Sequence, residues 1–320
     1  MILIDYSAIS LAAIVANLTR ERANTMDVPY GQHLILNSLK HFIKMFQGKM
    51  GYAVICCDSH NSWRKKYFEH YKAARAVSRG SSPLDWETIF EITDSTREAL
   101  ENYFPVFVVK KDTYEADDLI AAFALNYDKP TVICSEDKDF YQLLHKPNLW
   151  IYHNRRKAFY EGPFLNNRDT QDFVDSKFRK GKLYTYTKTT KGWAEAVLLE
   201  QIIRGDSIDG VPNMLSEDDT YITDKRSVPI TAKKLNRLQT IITNGEEKEL
   251  SRQEQLNYQR NKRLIDLHPM AEECKDVVEA VLAQEKPKAN LLETQKWLMN
   301  NTLVQLANAA QDFYQKVNTL

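Results

Sequence analysis

Four short apolar runs constrain the fold more than anything else in the chain, and three of them end on a carboxylate. They are ILID (Ile2–Asp5), YAVICCD (Tyr52–Asp58), FPVFVVKK (Phe104–Lys111) and PTVICSED (Pro130–Asp137). Nearly continuous apolar strands of this kind are buried on both faces, as in parallel sheets. Between them lie HLILNSLKHFIKMF, WETIFEITDSTREALENYF and YEADDLIAAFALNY, whose apolar residues recur at helical spacing. Strands alternating with long helical segments predict an α/β fold: a mostly parallel central sheet with flanking helices. LWIYH and KAFYEG predict two further strands at a sheet edge. The apolar start carries Asp5 and no basic leader, so it reads as a first strand and helix rather than a signal peptide. No apolar run is long enough to cross a bilayer.

The character changes after about residue 165. Residues 1–165 form the α/β part, with a basic segment at 60–82. Residues 166–191 are a polar excursion rich in Lys, Arg, Thr and Tyr, whose lysines serve either nucleic acid or solubility. Residues 192–320 read as a largely helical region packed against the α/β half, interrupted by the long irregular stretch VPNMLSEDDTYITDKRSVP. The four cysteines, Cys56, Cys57, Cys134 and Cys274, show no CxxC spacing. That argues against zinc and a disulfide framework and fits a reducing interior.

The 43 basic and 43 acidic residues cancel, yet the charge is segregated. Asp5, Asp58 and Asp137 fall where strands end, the place at which parallel sheets bind ligands. Glu115 and Asp118 are three apart at the head of a helix and share a face, with Asp117 splayed beside them. A helix N-terminus favours one such charge by only ~0.3–1 kcal/mol. That is too little to keep four or five converging carboxylates ionised, so either their pKa values rise or cations neutralise them. Any one of these acids alone is ordinarily a cap or a solvated charge; their joint placement points to a metal cluster. Oxygen donors suit Mg²⁺ or Mn²⁺. Asp206 and Asp209, in RGDSIDGVP between Gly205 and Gly210, read equally well as structural or chemical.

The stretch HNSWRKKYFEHYKAARAVSRG sets Arg64, Lys65, Lys66, Lys72, Arg75 and Arg79 against the single acid Glu69. Arg64, Tyr67, Tyr71 and Arg75 recur at helical intervals, predicting a cationic helix face interleaved with aromatics. Phosphate neutralisation and base stacking both use that combination; a solvated basic helix is the alternative.

The phrases HLILNSLKHF, DSHNSWRKKYFEHYKAAR, DWETIFE, YEADDLIA, SEDKDFYQL and RGDSIDGVP, in this order, resemble the structure-specific 5′ nuclease family. That family holds flap endonucleases and the 5′ nuclease domains of bacterial DNA polymerases, and the likeness is greatest to its ribonuclease H branch from T-even-type bacteriophages. It runs well to about Pro212 and thins beyond. It implies a PIN-like nuclease core with a basic helical arch at 60–82, then a helix-turn-helix-like duplex-binding element in 192–320. Asp5, Asp58, Glu115 and Asp117 would form a first metal site, with Asp118 nearby; Asp137, Asp139, Asp206 and Asp209 would form a more open second one. Arg64 and Lys72, with Asp118, take catalytic roles. Arg64, Lys65, Lys66, Tyr71, Lys72, Arg75, Arg79, Lys233 and Lys234 take nucleic-acid contacts. The implied cofactors are two Mg²⁺ (or Mn²⁺), with K⁺ at the duplex-binding element. The implied substrates are DNA flaps, nicked or gapped duplexes and RNA–DNA hybrids, the task being removal of RNA primers and adjacent DNA from lagging-strand fragments. A single-stranded DNA-binding replication protein as partner, a monomeric state and the cytoplasm of an infected bacterial host complete the expectation; the tail QDFYQKVNTL is one place a partner could dock.

Two departures stand out: Gly210 occupies the position where the family usually has Asn, and no compact glycine-rich hairpin follows Pro212. Among other readings, a non-catalytic DNA-structure-binding protein would keep the basic arch but have no use for the full carboxylate set. A haloacid-type hydrolase would need DxD after the first strand, where IDYSAI stands, and toxin-like ribonucleases are much shorter.

Overall fold

The computed structural model describes residues 1–162, 172–173, 175–180, 183–223 and 225–314, with the side chains of residues 76 and 77 excepted. Most of the 166–182 stretch and the last six residues of the QDFYQKVNTL tail therefore lie outside the described residues.

The apolar runs become strands β1 (Ile2–Asp5), β2 (Ala53–Cys56), β3 (Phe107–Val109), β4 (Thr131–Cys134), β5 (Leu149–His153) and β6 (Ala158–Glu161), joined by β7 (Thr185–Lys188). Their order across the sheet is β3-β2-β1-β4-β5-β6-β7. Pairing is parallel from β3 through β5, antiparallel between β5 and β6, and parallel again between β6 and β7. The sheet is thus mixed and mostly parallel, as expected. The edge differs from expectation. β5 and β6 lie inside the sheet, and the edge is β7, from the excursion that reads as polar and irregular. Its TYTK sequence carries no apolar run because three of its four side chains are exposed; backbone bonds to β6 hold it.

Helices cover both faces. α1 (Tyr6–Glu21), α2 (Val28–Met50), α3 (Trp63–Tyr67), α4 (Ala73–Gly80), α5 (Trp86–Tyr103) and α6 (Ala116–Asn126) belong to the first half. α7 (Trp193–Arg204), α8 (Ala232–Thr243), α9 (Arg252–Ile265), α10 (Met270–Glu273), α11 (Lys275–Leu282), α12 (Leu291–Asn300) and α13 (Val304–Asn308) follow. Side chains alternate along a strand, so Ile2 and Ile4 join one core with α1, α2 and α5, while Leu3 joins the other with α6. Cys57 and Cys56 divide between the same two cores. The helical second half does not stand apart. Leu298, Leu306 and Phe313 complete the first core; Leu267, Met270 and Cys274 complete the second. Only α7, α8 and α9 build a third cluster, around Ile203, Met214 and Leu238, and Phe68 and Tyr71 from the basic segment plug into it.

The long stretch after Pro212 is held by polar groups buried on α9. Asn257 donates to the carbonyls of Met214 and Ser216 at 2.9 and 3.0 Å, and Arg260 and Asn261 both donate to that of Pro212 at 2.8 and 2.9 Å. Buried backbone carbonyls need such partners, and here helix side chains supply them.

Candidate active site

Strand order reverses between β1 and β4, each having its other parallel neighbour on the opposite side. Beyond the carboxyl ends of such a pair lies an open crevice, the usual ligand position in α/β sheets. Asp5 ends β1 and caps α1 at once, its Oδ1 accepting from the Ala8 N–H at 2.9 Å. Asp58 follows β2, and its Oδ1 accepts from the Ala116 N–H at 2.8 Å, at the head of α6. Asp137 follows β4 and accepts from the Asp139 N–H at 2.9 Å. Glu115, Asp117 and Asp118 open α6, and Asp206 and Asp209 enter from the turn after α7. Asp117, Asp139, Asp206 and Asp209 line one small cleft together with Arg64 and Tyr71.

These acids fall into two groups by what neutralises them. Glu115 is buried, yet Lys72 Nζ (2.8 Å) and Arg64 Nη1 (3.1 Å) reach it. Burial works against its charge, but these two cations outweigh it and hold the carboxyl below the usual range. Asp118 is fully buried and receives both arms of the Arg64 guanidinium, with Trp63 Nε1 donating to it at 3.0 Å. Asp209 is engaged by Arg75 and by the Tyr71 hydroxyl at 2.9 Å. Asp206 lies 3.2 Å from Lys138.

Among the described residues no cation lies within ion-pair distance of Asp5, Asp117, Asp137 or Asp139. Burial, then the charge of Asp58, pushes Asp5 up to about 7. Burial, then Asp5 and Asp137, drives Asp117 well above the carboxylate range. Burial, then Asp137 and Asp206, lifts Asp139 to about 8, although Gln201 Nε2 donates to it at 2.8 Å. Asp137 is raised as well, by burial and then by Asp209 and Asp206. Among the described residues no three Asp, Glu, His or Cys side chains stand as a formed coordination shell. The chemistry of the donor set nonetheless fits hard divalent cations: all oxygen, all anionic, and charged at a cost that only a proton or a cation relieves.

The basic segment differs from the continuous helix face that its spacing predicts. It breaks into α3 and α4, and between them Lys72 takes a left-handed conformation, φ 55°. The break turns Lys72 toward Glu115. Arg64 and Tyr71 are correspondingly not on a solvent-facing surface. Arg64 is 3% exposed and also donates from Nε to the Leu264 carbonyl; Tyr71 is 4% exposed, its hydroxyl 2.8 Å from Glu115. Asp118 likewise turns inward, its Oδ2 accepting from the Glu115 N–H at 2.9 Å. Lys65, Lys66, Arg75 and Arg79 face solvent, as do Lys233 and Lys234 on α8, remote from the carboxylates in sequence.

Gly210 closes the arrangement. The Lys72 N–H donates to the Asp209 carbonyl at 2.8 Å, so this turn lies directly against the basic segment. Gly210 has φ 73°, and a Cβ there would stand 2.9 Å from the His70 carbonyl oxygen. The departure from Asn at this position thus has a steric reason in this chain.

A groove of about 550 Å³ runs from Asp58, Lys72 and Glu115 out between the basic segment and α5. On its far wall it adds Arg97 and Lys110, which the sequence does not single out. The available signal was that Arg97 is the sole cation of the otherwise acidic α5.

The first 174 residues match the family model described as 5′-3′ exonuclease, N-terminal resolvase-like domain. Ribonuclease H of Enterobacteria phage T4 is 30% identical over 275 residues, covering 82% of this chain and 80% of the relative. Two solved structures share the fold. The bacteriophage T5 5′-exonuclease with bound zinc ions has TM-score 0.53 at 14% identity, covering 88% of this chain and 96% of that one. The bacteriophage T5 flap endonuclease in a pseudo-enzyme–product complex with DNA and metal ions has TM-score 0.53 at 16% identity, covering 94% and 98%. With its strand-end carboxylates, basic segment and mostly parallel sheet, the chain belongs to the 5′-3′ exonuclease and flap-endonuclease family.

Proposed function

We propose that this structure-specific nuclease hydrolyses phosphodiesters at 5′ ends, on flaps, on nicked or gapped duplexes and on RNA within RNA–DNA hybrids, and that it clears RNA primers with adjacent DNA. The observation that carries this reading is the continuity of the cationic groove with the carboxylate crevice: Lys72, Asp58 and Glu115 line the groove, and Lys72 bonds Glu115.

The un-neutralised carboxylates Asp5, Asp117, Asp137 and Asp139, with Asp58, Glu115, Asp206 and Asp209 around them, would hold two Mg²⁺ or Mn²⁺. When bound, such ions supply a water of lowered pKa and positive charge opposite the leaving 3′ oxygen. The chain's own residues do the rest. Lys72, placed between Glu115 and Asp209, offsets the repulsion that anionic side chains exert on an arriving phosphate. Arg64, buried against Asp118 and Glu115, is a positioning residue that fixes the head of α6 and the foot of the arch. Lys65, Lys66, Arg75 and Arg79 hold the 5′ strand. Lys233 and Lys234 hold duplex backbone on α8, with K⁺ at the neighbouring turn. A monomer working beside a single-stranded DNA-binding replication protein fits this role.

The test is cleavage of end-labelled 5′ flap, gapped duplex and RNA–DNA hybrid with Mg²⁺ and with EDTA, using Asp137→Asn as the inactive control. Metal-dependent cleavage by the wild-type chain alone is expected. Cleavage in EDTA, or none of any substrate by the wild type, overturns the reading and favours a DNA-structure-binding protein.

A further inference from the structure

The outer end of the cationic groove holds a feature that neutralising phosphates does not require. Phe90 projects from α5 into the groove and is 42% exposed, among the large apolar side chains most open to solvent in the α/β half. Arg79, the last cation of the arch, lines the same groove. Its guanidinium carbon lies 5.6 Å from the centre of the Phe90 ring and 5.5 Å from that of Trp86. Trp86 and Phe90 are one helical turn apart, with ring centres at 5.9 Å. Arg79 is in no salt bridge among the described residues. An exposed ring faced by a guanidinium that no described carboxylate neutralises is the arrangement that single-stranded nucleic acid uses: the plane stacks a base, and the cation pairs the flanking phosphate or stacks in turn. Inward along the groove, Arg75, Arg97 and Lys110 continue the positive charge to Lys72, with Asp94 the only acid on the α5 wall.

We propose that Phe90 and Arg79 form a base-stacking subsite for an unpaired nucleotide of the 5′ strand, at the outer end of the groove whose inner end is the carboxylate crevice. The occupant is a single-stranded nucleotide, recognised by its aromatic face and not by hydrogen-bonding edges, so any base satisfies it. The site lets the enzyme register unpaired bases beyond the cleaved bond rather than phosphates alone. The proposal rests on the nuclease reading above, because that reading puts a 5′ strand in the groove.

The experiment is a cycle between protein and DNA. Binding of fluorescent flapped duplexes is measured by anisotropy in EDTA, with natural flap nucleotides or with one abasic nucleotide placed in turn at each flap position. For the wild type, one position is expected to lose roughly tenfold in affinity when its base is removed. Phe90→Ala is expected to lose about as much on the natural flap and nothing further from the abasic substitution; Phe90→Trp restores both the affinity and the sensitivity. Losses that multiply independently, or no abasic position that matters, overturn the subsite, as does a wild type that binds flapped and flush duplexes equally. The parallel Mg²⁺ cleavage assay separates the two failures. A wild type that cleaves but shows no coupling refutes the subsite alone, whereas one that cleaves nothing refutes the nuclease reading.

Discussion

Arg64 and Asp118 meet as a parallel fork, Nη1 to Oδ2 at 2.9 Å and Nη2 to Oδ1 at 2.7 Å, with both side chains buried. The pair ties the first turn of α6 to α3, and Arg64 Nε reaches on to the Leu264 carbonyl on α9. Removing one partner of such a pair strands the other charge. Arg64→Ala is therefore expected to cost about 3–5 kcal/mol in urea unfolding. Arg64→Lys keeps the charge but not the fork and is expected to remain clearly destabilised. A Lys variant as stable as the wild type would refute the fork's structural role.

Lys72 reaches both halves of the acidic site, 2.8 Å from Glu115 and 3.6 Å from Asp209. Lys72→Ala is expected to reduce turnover well beyond any loss in duplex affinity, by 10²-fold or more on the scale of lost transition-state electrostatics. Single-turnover cleavage and equilibrium binding, measured side by side, separate the two; equal losses would make Lys72 a simple backbone anchor.

Metal-free protein should show an inverted pH response. Asp5 and Asp139 have folded-state pKa values of about 7 and about 8, above their ordinary value of 3.8. A raised carboxyl contributes no penalty below pH 4; stability is then lost as pH climbs through the folded pKa, because the unfolded chain ionises more easily. Melting temperature in EDTA is therefore expected to fall between about pH 4 and 8, and Mg²⁺ should flatten the decline. Asp5→Asn should flatten part of it without metal. A melting temperature that is level across this window in EDTA would contradict the crowding of charge described here.

Gly210→Asn restores the residue usual in the family but adds a Cβ 2.9 Å from the His70 carbonyl. Asn tolerates the left-handed backbone better than most residues, so the contact with His70 is what would push the turn away from Lys72, and lower stability with lower cleavage rates is expected. Denaturant melts and turnover measured on the variant check both.

The sheet was legible because buried parallel strands must be apolar throughout, and β1, β2 and β4 are 0–1% exposed at almost every residue. β7 was not, because an edge strand held by backbone bonds needs no apolar pattern. The strand-end position of Asp5, Asp58 and Asp137 could be read along the chain, since each follows its own strand. The burial of Arg64 could not: its partner Asp118 is 54 residues away, and an arginine within a basic run carries no sign of a long-range carboxylate. Arg97 and Lys110 become neighbours of the basic segment only through the groove that assembles them.

The placement of α12 and α13 bears on how the molecule is made. Leu298, Leu306 and Phe313 seal the same core as Phe46 and Ile14. A nascent chain leaving the ribosome therefore carries this core open on the outer side of α2 and α5 until residues 291–313 have been added. The first core is therefore completed only when α12 and α13 reach it.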